Sequence, residues 1–126
     1  MTHHFPIRVY YEDTDLAGIV YYANYLKFIE RARSEMVREM GVDQVLMKAD
    51  GLVFVVRRVE ADYHMPARFD DALIVQTTIA QKTGARIVFD QRVRRGDDLL
   101  FQAAVTVVCL DENGAVQRLP AVIRQA

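Results

Sequence analysis

The sequence predicts an α+β domain in which one long helix packs on a curved antiparallel sheet of five strands. Three features of the chain support this prediction. An alternating segment from Pro6 to Glu12 is followed by a single long stretch of helical periodicity, from about Tyr22 to Met40, and four β-branched and aromatic runs follow Gly51. One strand, one helix and four further strands are typical of a sheet with a helix on one face.

An acidic loop separates the first strand from the helix. Apolar and polar side chains alternate through Pro6–Glu12 as in a half-buried strand, and the alternation stops at Asp13. Apolar residues then recur at the spacing of one buried helix face, at Tyr25, Phe28, Ile29, Ala32, Met36 and Met40. Gly41 is well placed to end the helix in a left-handed conformation, and a short helical turn is expected over Asp43–Lys48.

Four strands are predicted after Gly51, at Leu52–Tyr63, Ala72–Lys82, Ala85–Arg95 and Leu99–Leu110. Short turn signals at Gly84, at Gly96 with Asp97, and at Asp111–Gly114 favour antiparallel hairpins, so we expect the four strands to form a meander. One helix covers five strands poorly and leaves an edge of the sheet free. We therefore expect a homo-oligomer, with a dimer as the minimum and a tetramer as the full assembly.

Length and composition limit the classes of function. The 126 residues suffice for one core, so residues 1–126 are interpreted as a single domain. A net charge of -1 argues against nucleic-acid binding. Cys109 is the only cysteine, which excludes an internal disulfide and a cysteine-based zinc cluster. Because neither a signal-peptide pattern nor a run of about 18 apolar residues is found, we expect a cytoplasmic protein without a membrane span.

The loop before the helix carries the clearest candidate for chemistry. Asp15 lies a few residues before the predicted helix start, where unpaired backbone N–H groups and the helix dipole favour negative charge. The same N–H groups could bind the oxyanion of a substrate carbonyl while Asp15 attacks the acyl carbon or deprotonates a water molecule. A thioester suits such a site because its thiolate leaves with little protonation. The alternative is that Asp15 only caps the helix or forms an Asx turn.

A longer composite pattern surrounds Asp15 and extends through much of the chain. Its residues in the stretch Tyr10–Glu35 are Tyr11, Glu12, Asp13, Thr14, Asp15, Gly18, Val20, Tyr21, Asn24, Tyr25, Phe28, Glu30, Arg31, Ala32 and Arg33. Later segments belong to it too: Phe54–Arg57, Pro66–Arg68 with Asp70 and Asp71, and Val107–Cys109. The pattern resembles the hot-dog-fold acyl-CoA thioesterases of the 4-hydroxybenzoyl-coenzyme A thioesterase family, most of all the Tol-Pal-associated branch. The resemblance implies hydrolysis of an acyl-CoA thioester to a free carboxylic acid and coenzyme A.

The resemblance also implies roles for individual residues. Asp15 matches the catalytic carboxylate, and Tyr22 matches the position whose backbone N–H binds the thioester oxygen, with Ala23 as a further donor. Gly18, in the same motif, is interpreted as substrate-binding. The Tol-Pal branch commonly has histidine where this chain has Tyr22, whereas the 4-hydroxybenzoyl enzymes have tyrosine. Neither a metal nor a cofactor is implied, since coenzyme A is part of the substrate.

Basic residues are candidates for contacts with the phosphates of coenzyme A. Arg57, Lys82 and Arg86 carry the charged groups that such phosphates attract, as does Arg58. Lys82 and Arg86 flank the hairpin at Gly84, where the resemblance implies pantetheine or nucleotide contact. The alternative is that they are solvated charges at strand ends. The thioester carrier is expected to be coenzyme A or an acyl carrier protein.

Three further reactive side chains are not assigned to catalysis, and two other functions are compatible with parts of the pattern. Asp13 is interpreted as structural rather than as part of a coupled carboxylate pair with Asp15, His64 as structural or interfacial, and Cys109 as a core residue. A hot-dog hydratase or dehydratase typically needs a histidine paired with a carboxylate, and the sequence shows none near Asp15. A non-catalytic acyl-thioester binding module is the alternative from another class.

Overall fold

The computed structural model describes all 126 residues, and its elements follow the predicted order with small additions. The strands are β1 (His3–Arg8), β2 (Val53–Tyr63), β3 (Ala72–Lys82), β4 (Arg86–Arg95), β5 (Asp98–Leu110) and β6 (Val116–Gln117). The helices are α1 (Asn24–Glu39), α2 (Gln44–Ala49) and α3 (Ala121–Arg124). The short strand β6, the helix α3 and a single 3-10 turn at Tyr11–Asp13 have no counterpart in the prediction.

All strand pairs are antiparallel, and the sheet order is β1-β3-β4-β5-β2, with β6 beside β5. The three predicted hairpins are present, but the predicted four-strand meander is wrong because β2 pairs with β5 rather than with β3. The connection between β2 and β3 does not fold back as a hairpin, and its tight turn, in which Asp71 N donates to Arg68 O at 3.1 Å, leads into β3. The connection contains Pro66, and Ala67 O accepts a hydrogen bond from Val20 N at 2.9 Å, so the chain crosses past the start of α1 instead of turning back.

The first strand ends at Arg8, four residues before the predicted end at Glu12. The side chain of Asp13 explains the difference, because its Oδ2 accepts a hydrogen bond from Tyr10 N at 2.8 Å and bends the chain into the 3-10 turn. A short polar side chain that bonds to the nearby backbone competes with strand pairing. The alternation of residue types through Glu12 does not reveal this competition.

Helix α1 begins at Asn24, two residues after the predicted Tyr22, and it buries the predicted face. At its other end, Gly41 has φ 101°, and its N–H donates to Arg38 O at 3.0 Å. The next N–H, of Val42, donates to Val37 O at 3.1 Å. These two bonds form a Schellman motif, which requires the left-handed conformation that glycine adopts at low cost.

The core lies between the buried face of α1 and one face of the sheet. Strand β4 shows the division best: Ile87, Phe89, Gln91 and Val93 are buried, and the residues between them are partly exposed. The outer edge of β2 has no partner strand within the chain, and apolar side chains are exposed along it, at Val53, Val56, Val59 and Tyr63. None of the helices has the length and apolar character needed to span a membrane.

Candidate active site

A tight hairpin turn holds Asp15 in front of α1. Gly18 N donates to Asp15 O at 3.0 Å, and Asp15 N donates to Ile19 O at 2.9 Å. Gly18 has φ 78°, the left-handed conformation that closes this kind of turn. The Asp15 carboxylate accepts one hydrogen bond, from Ala17 N at 2.9 Å, and the residue is exposed. The Asx turn expected as the alternative is therefore present, and it leaves the other carboxylate oxygen free.

The chain between this turn and α1 leaves two backbone donors unused. Asp13 O accepts from both Tyr21 N and Asn24 Nδ2 at 2.9 Å, which holds the segment against the loop. Asn24 N donates to Tyr21 O at 2.8 Å. The N–H groups of Tyr22 and Ala23 donate to no protein acceptor. They lie just before α1, where the positive end of the helix dipole favours a developing negative charge.

Asp15 and Tyr22 line the same open depression, of about 430 Å³. Its walls are mainly apolar and include Tyr21, Tyr25 and Tyr63. The Tyr22 hydroxyl, and to a smaller extent the Asp15 charge, raise the pKa of Tyr21. The depression thus combines a carboxylate and the free N–H of Tyr22 in apolar surroundings, with the free N–H of Ala23 next in the chain, an arrangement that can serve acyl transfer.

An aromatic cluster fixes the far wall of the depression. The rings of Tyr25 and Phe101 stack with centroids 4.9 Å apart, and Tyr63 meets Phe101 edge-on at 5.0 Å. Tyr63 Oη donates to Tyr22 O at 2.8 Å, and Tyr25 Oη accepts from Ala67 N at 3.0 Å. Burial raises the pKa of both Tyr25 and Tyr63, so their hydroxyls are neutral hydrogen-bonding groups at neutral pH. No sequence pattern predicts a role for Tyr63, and only the β2–β5 pairing, which places it opposite Phe101, reveals one.

A charged clamp supports the depression from behind. Asp71 Oδ2 accepts from Arg95 Nη1 at 2.8 Å and from Arg68 N at 2.8 Å, and Arg95 Nη1 also donates to Pro66 O at 3.3 Å. Burial alone would raise the pKa of Asp71, but the Arg68 N–H and the Arg95 guanidinium outweigh it and lower that pKa. Pro66 lines the depression, so the clamp positions part of its wall.

The prediction that no histidine lies near Asp15 is wrong. The sequence suggests no histidine near Asp15, yet His64 lines the same depression, because the crossing connection after β2 returns past the loop. No ion pair within 4.0 Å joins the His64 and Asp15 side chains. The other two interpretations agree with the structure. Asp13 binds backbone groups, and Cys109 is a buried core residue whose thiol has its pKa raised by burial.

The basic candidates lie away from Asp15 within one chain. Arg57 stands at the irregularity of β2, where the pairing with β5 shifts between Val56 and Arg58. Arg86 begins β4 opposite Val108, and Lys82 ends β3 with its Nζ bonded to Ala126 O. Tyr63, which lines the depression, pairs with Phe101 of β5, whereas Arg86 pairs with Val108. These two positions are seven residues apart along β5, roughly 23 Å at 3.3 Å per residue. One chain does not bring these groups to the depression.

Known proteins share both the sequence and the fold. Residues 17–102 match the Thioesterase superfamily. The chain is 48% identical over 107 residues to the acyl-CoA thioester hydrolase YbgC of Escherichia coli O6:H1, covering 84% of this chain and 80% of that protein. It is 46% identical over 108 residues to the acyl-CoA thioesterase YbgC of Haemophilus influenzae, covering 85% of this chain and 79% of the other.

A solved structure agrees with this relationship. The crystal structure of a probable thioesterase from Bartonella henselae superposes with a TM-score of 0.90 at 40% identity, and the match covers 95% of this chain and all of the other. The curved antiparallel sheet around α1 is the hot-dog fold, as the resemblance implied. The chain therefore belongs to the thioesterase superfamily and is an enzyme that hydrolyses thioesters.

Proposed function

We propose that the protein hydrolyses acyl-CoA thioesters, with Asp15 as nucleophile or general base and the N–H groups of Tyr22 and Ala23 as the oxyanion hole. The observation that carries the proposal is the placement of a carboxylate with a free oxygen and of the Tyr22 segment, with its unused donors, at one depression. Oxyanion-hole donors elsewhere contribute about 3 to 4 kcal/mol each to transition-state stabilisation. The YbgC proteins, named for the same reaction, support the substrate class.

Two reaction courses fit these groups. In one, the carboxylate of Asp15 attacks the thioester carbonyl, coenzyme A leaves as thiolate, and water hydrolyses the resulting mixed anhydride. In the other, Asp15 removes a proton from a water molecule that attacks the carbonyl directly. Both courses pass through an oxyanion held by the backbone donors. Neither requires a metal, so dialysis against EDTA should leave the rate unchanged.

The complete site is proposed to form between two copies of the chain. The free edge of β2 is 11 residues long and carries exposed valines, which suits antiparallel pairing with the same strand of a second copy. A two-fold axis would place the Val53 end of one β2 beside the Tyr63 end of the other. Arg57, Lys82 and Arg86 of one copy could then reach a coenzyme A bound at Asp15 of its partner. The dimer is the minimum assembly and a tetramer the expected one.

Thiol release tests the proposal. Wild type and Asp15→Asn are compared side by side on short, long and aromatic acyl-CoAs with a thiol-reactive dye. Turnover that falls at least a hundredfold in Asp15→Asn supports the proposed reaction, and the best acyl group identifies the substrate. If wild type binds acyl-CoA but never releases thiol, the protein is a binding module or acts on an acyl carrier protein, which the same assay with acylated carrier protein separates.

The pH dependence distinguishes a carboxylate from an imidazole. If Asp15 is the essential base, the rate should persist into mildly acidic buffer. A rate that falls below about pH 6.5, where an unperturbed imidazole titrates, would instead assign the chemistry to His64. His64 in the depression is also the reason to assay hydration of an enoyl-CoA, the reaction of the alternative hydratase. The proposal places the reaction in the cytoplasm.

A further inference from the structure

A second cavity, of about 140 Å³, lies between α1 and the sheet. It shares no residue with the Asp15 depression. Its walls are mostly apolar, with Phe54 of β2, Phe89 of β4 and Val107 of β5 among them. On the helix side, however, it is lined by polar side chains, including Glu30 and Arg33. Its lining, apolar with a few polar groups on one side, resembles that of a small-molecule site, and its volume suits one end of a ligand rather than a whole ligand.

A buried amide holds Arg33 in place. Arg33 Nη1 donates to Gln91 Oε1 at 2.9 Å, and the Gln91 side chain is fully buried. The orientation of that amide is fixed, because Gln91 Nε2 donates to Ile29 O at 2.9 Å and to Thr77 Oγ1 at 3.0 Å. The Gln91 oxygen therefore faces Arg33, and its hydrogen bond holds the guanidinium in place without a neutralising charge.

No carboxylate neutralises Arg33 directly. No carboxylate oxygen lies within 4.0 Å of its guanidinium, and it makes no other hydrogen bond, while its remaining nitrogen atoms are accessible rather than buried. Burial lowers the pKa of Arg33, and the Glu30 charge opposes this effect. Glu30 Oε1 accepts from Ser34 Oγ at 3.0 Å, so Glu30 is also held and keeps an acceptor free. The helix side of the cavity thus has one donor held by a buried amide, Arg33, and one exposed acceptor, Glu30.

The proposed dimer brings this cavity to the catalytic depression. Phe54 and Val56, which line the cavity, lie in the first half of β2, and Tyr63, which lines the depression, ends it. Antiparallel pairing of two β2 strands sets the first half of one beside the second half of the other, about 4.8 Å away. An acyl group bound at Asp15 of one copy would then point towards the cavity of its partner.

We propose that Arg33 and Glu30 select acyl groups that carry a hydroxyl at the far end of the chain. This inference rests on the proposed acyl-CoA hydrolysis and on the β2 dimer. A hydroxyl accepts a hydrogen bond from Arg33 and donates one to Glu30, so it satisfies both groups. A methyl end satisfies neither, and a carboxylate end pairs with Arg33 but is repelled by Glu30. Sites built to bind a substrate hydroxyl discriminate strongly against analogues that lack it.

Matched acyl-CoAs test the selection. Initial rates are measured with butanoyl-, hexanoyl- and octanoyl-CoA, with their terminally hydroxylated counterparts, and with adipoyl-CoA as the carboxylate of six carbons. We expect wild type to prefer the hydroxylated member of the best pair by at least about tenfold in kcat/KM, with adipoyl-CoA between the two. In Arg33→Met the preference should fall below about threefold. In Glu30→Gln the preference should also fall, because the neutral amide oxygen is a weaker acceptor than the carboxylate, and the rate with adipoyl-CoA should rise.

Two controls separate this inference from loss of folding and from failure of the catalytic proposal. Arg38→Met changes an exposed arginine of the same helix and should keep the wild-type preference. Thermal melts report whether Arg33→Met is folded, and Glu30→Gln supplies the second test if it is not. Asp15-dependent hydrolysis without preference for the hydroxyl, or a preference unchanged in Glu30→Gln, overturns the selection and leaves the thioesterase standing. Hydrolysis that does not depend on Asp15 overturns the proposed function instead.

Discussion

The Asp15 depression and the Arg33 cavity are built in opposite ways. The depression takes its proposed catalytic groups, Asp15 and Tyr22, from one short stretch, in which backbone hydrogen bonds of Asp13, Asp15 and Gly18 form the turn that precedes Tyr22. The cavity depends on Gln91, which is 58 residues from Arg33 along the chain and joins helix to sheet through side chains. The difference shows that an exposed carboxylate can be held by a local turn, whereas a partly buried cation requires a buried partner.

Loss of the Asp15 carboxylate should have the strongest effect on the reaction. Asp15→Asn should reduce kcat at least a hundredfold while changing the free energy of unfolding by less than about 0.5 kcal/mol, because the residue is exposed and asparagine can still accept from Ala17 N. Thiol release and urea denaturation measure the two quantities. Gly18→Val is the opposing control: it disturbs a left-handed turn position and should lower stability and rate together. A stable Asp15→Asn enzyme with wild-type kcat would contradict the assignment.

Loss of Gln91, which holds Arg33, should destabilise the fold. Gln91→Leu removes the acceptor of Arg33 and leaves Ile29 O and Thr77 Oγ1 without their donor, so the free energy of unfolding should fall by about 1 to 3 kcal/mol. Urea denaturation measures the loss. The matched control is Gln102→Leu, at a half-buried position of β5 whose amide makes one long bond of 3.4 Å to Asp90. Equal losses of unfolding free energy in the two variants would show that the Arg33–Gln91 hydrogen bond does not stabilise the fold more than the long bond of Gln102.

The third prediction tests the clamp behind the depression through pH. The pKa of Asp71 is lower in the folded protein than in the unfolded chain, so the stability that its ionised form provides is complete above the unfolded value, about pH 4, and declines as the pH falls through the folded value. The difference in unfolding free energy between wild type and Asp71→Asn should be constant from about pH 5 to 8 and shrink below about pH 4. A constant difference down to pH 2 would show that the charge has no role.

Tyr63→Phe should reduce kcat less than Asp15→Asn does. It removes the hydrogen bond to Tyr22 O and keeps the ring that packs on Phe101, so it loosens the Tyr22–Ala23 peptide, whose N–H is one of the proposed oxyanion donors. We expect kcat to fall by about five- to tenfold, equivalent to the roughly 1 kcal/mol of one hydrogen bond, with KM nearly unchanged. Tyr11→Phe, an exposed tyrosine outside the depression, is the control. A rise in KM alone would indicate substrate contact rather than positioning.

The smallest effect is expected at His64. It lines the depression but makes no side-chain bond, and the proposed chemistry does not use it, so His64→Gln should change kcat by less than about threefold. The pH–rate profile of the same variant is the more sensitive measurement. If the acidic limb of the profile moves in His64→Gln, the imidazole takes part, and the assignment of Asp15 as the only base is wrong.

Much of the fold was predictable because it depends on local pattern. The bounds of α1 and of β2 to β5 agree with the prediction within two residues, since helical and strand periodicities are strong in these segments. The end of β1 and the order of the strands in the sheet were not predictable from local pattern. The first depends on the Asp13 side chain and the second on a connection that crosses the start of α1. Tyr63 and His64 reach the depression only through that crossing.

Local sequence patterns were enough to predict the helix, the strands and the short motif that places Asp15 before α1, because residues close in the chain meet in any tertiary arrangement. It also carried the resemblance that led to the thioesterase family. The packing of the whole chain was needed to show which strand lies at the edge of the sheet, which groups share the Asp15 depression and what holds Arg33. Those outcomes depend on strand order and on burial, which bring together residues such as Arg33 and Gln91 that no local spacing relates.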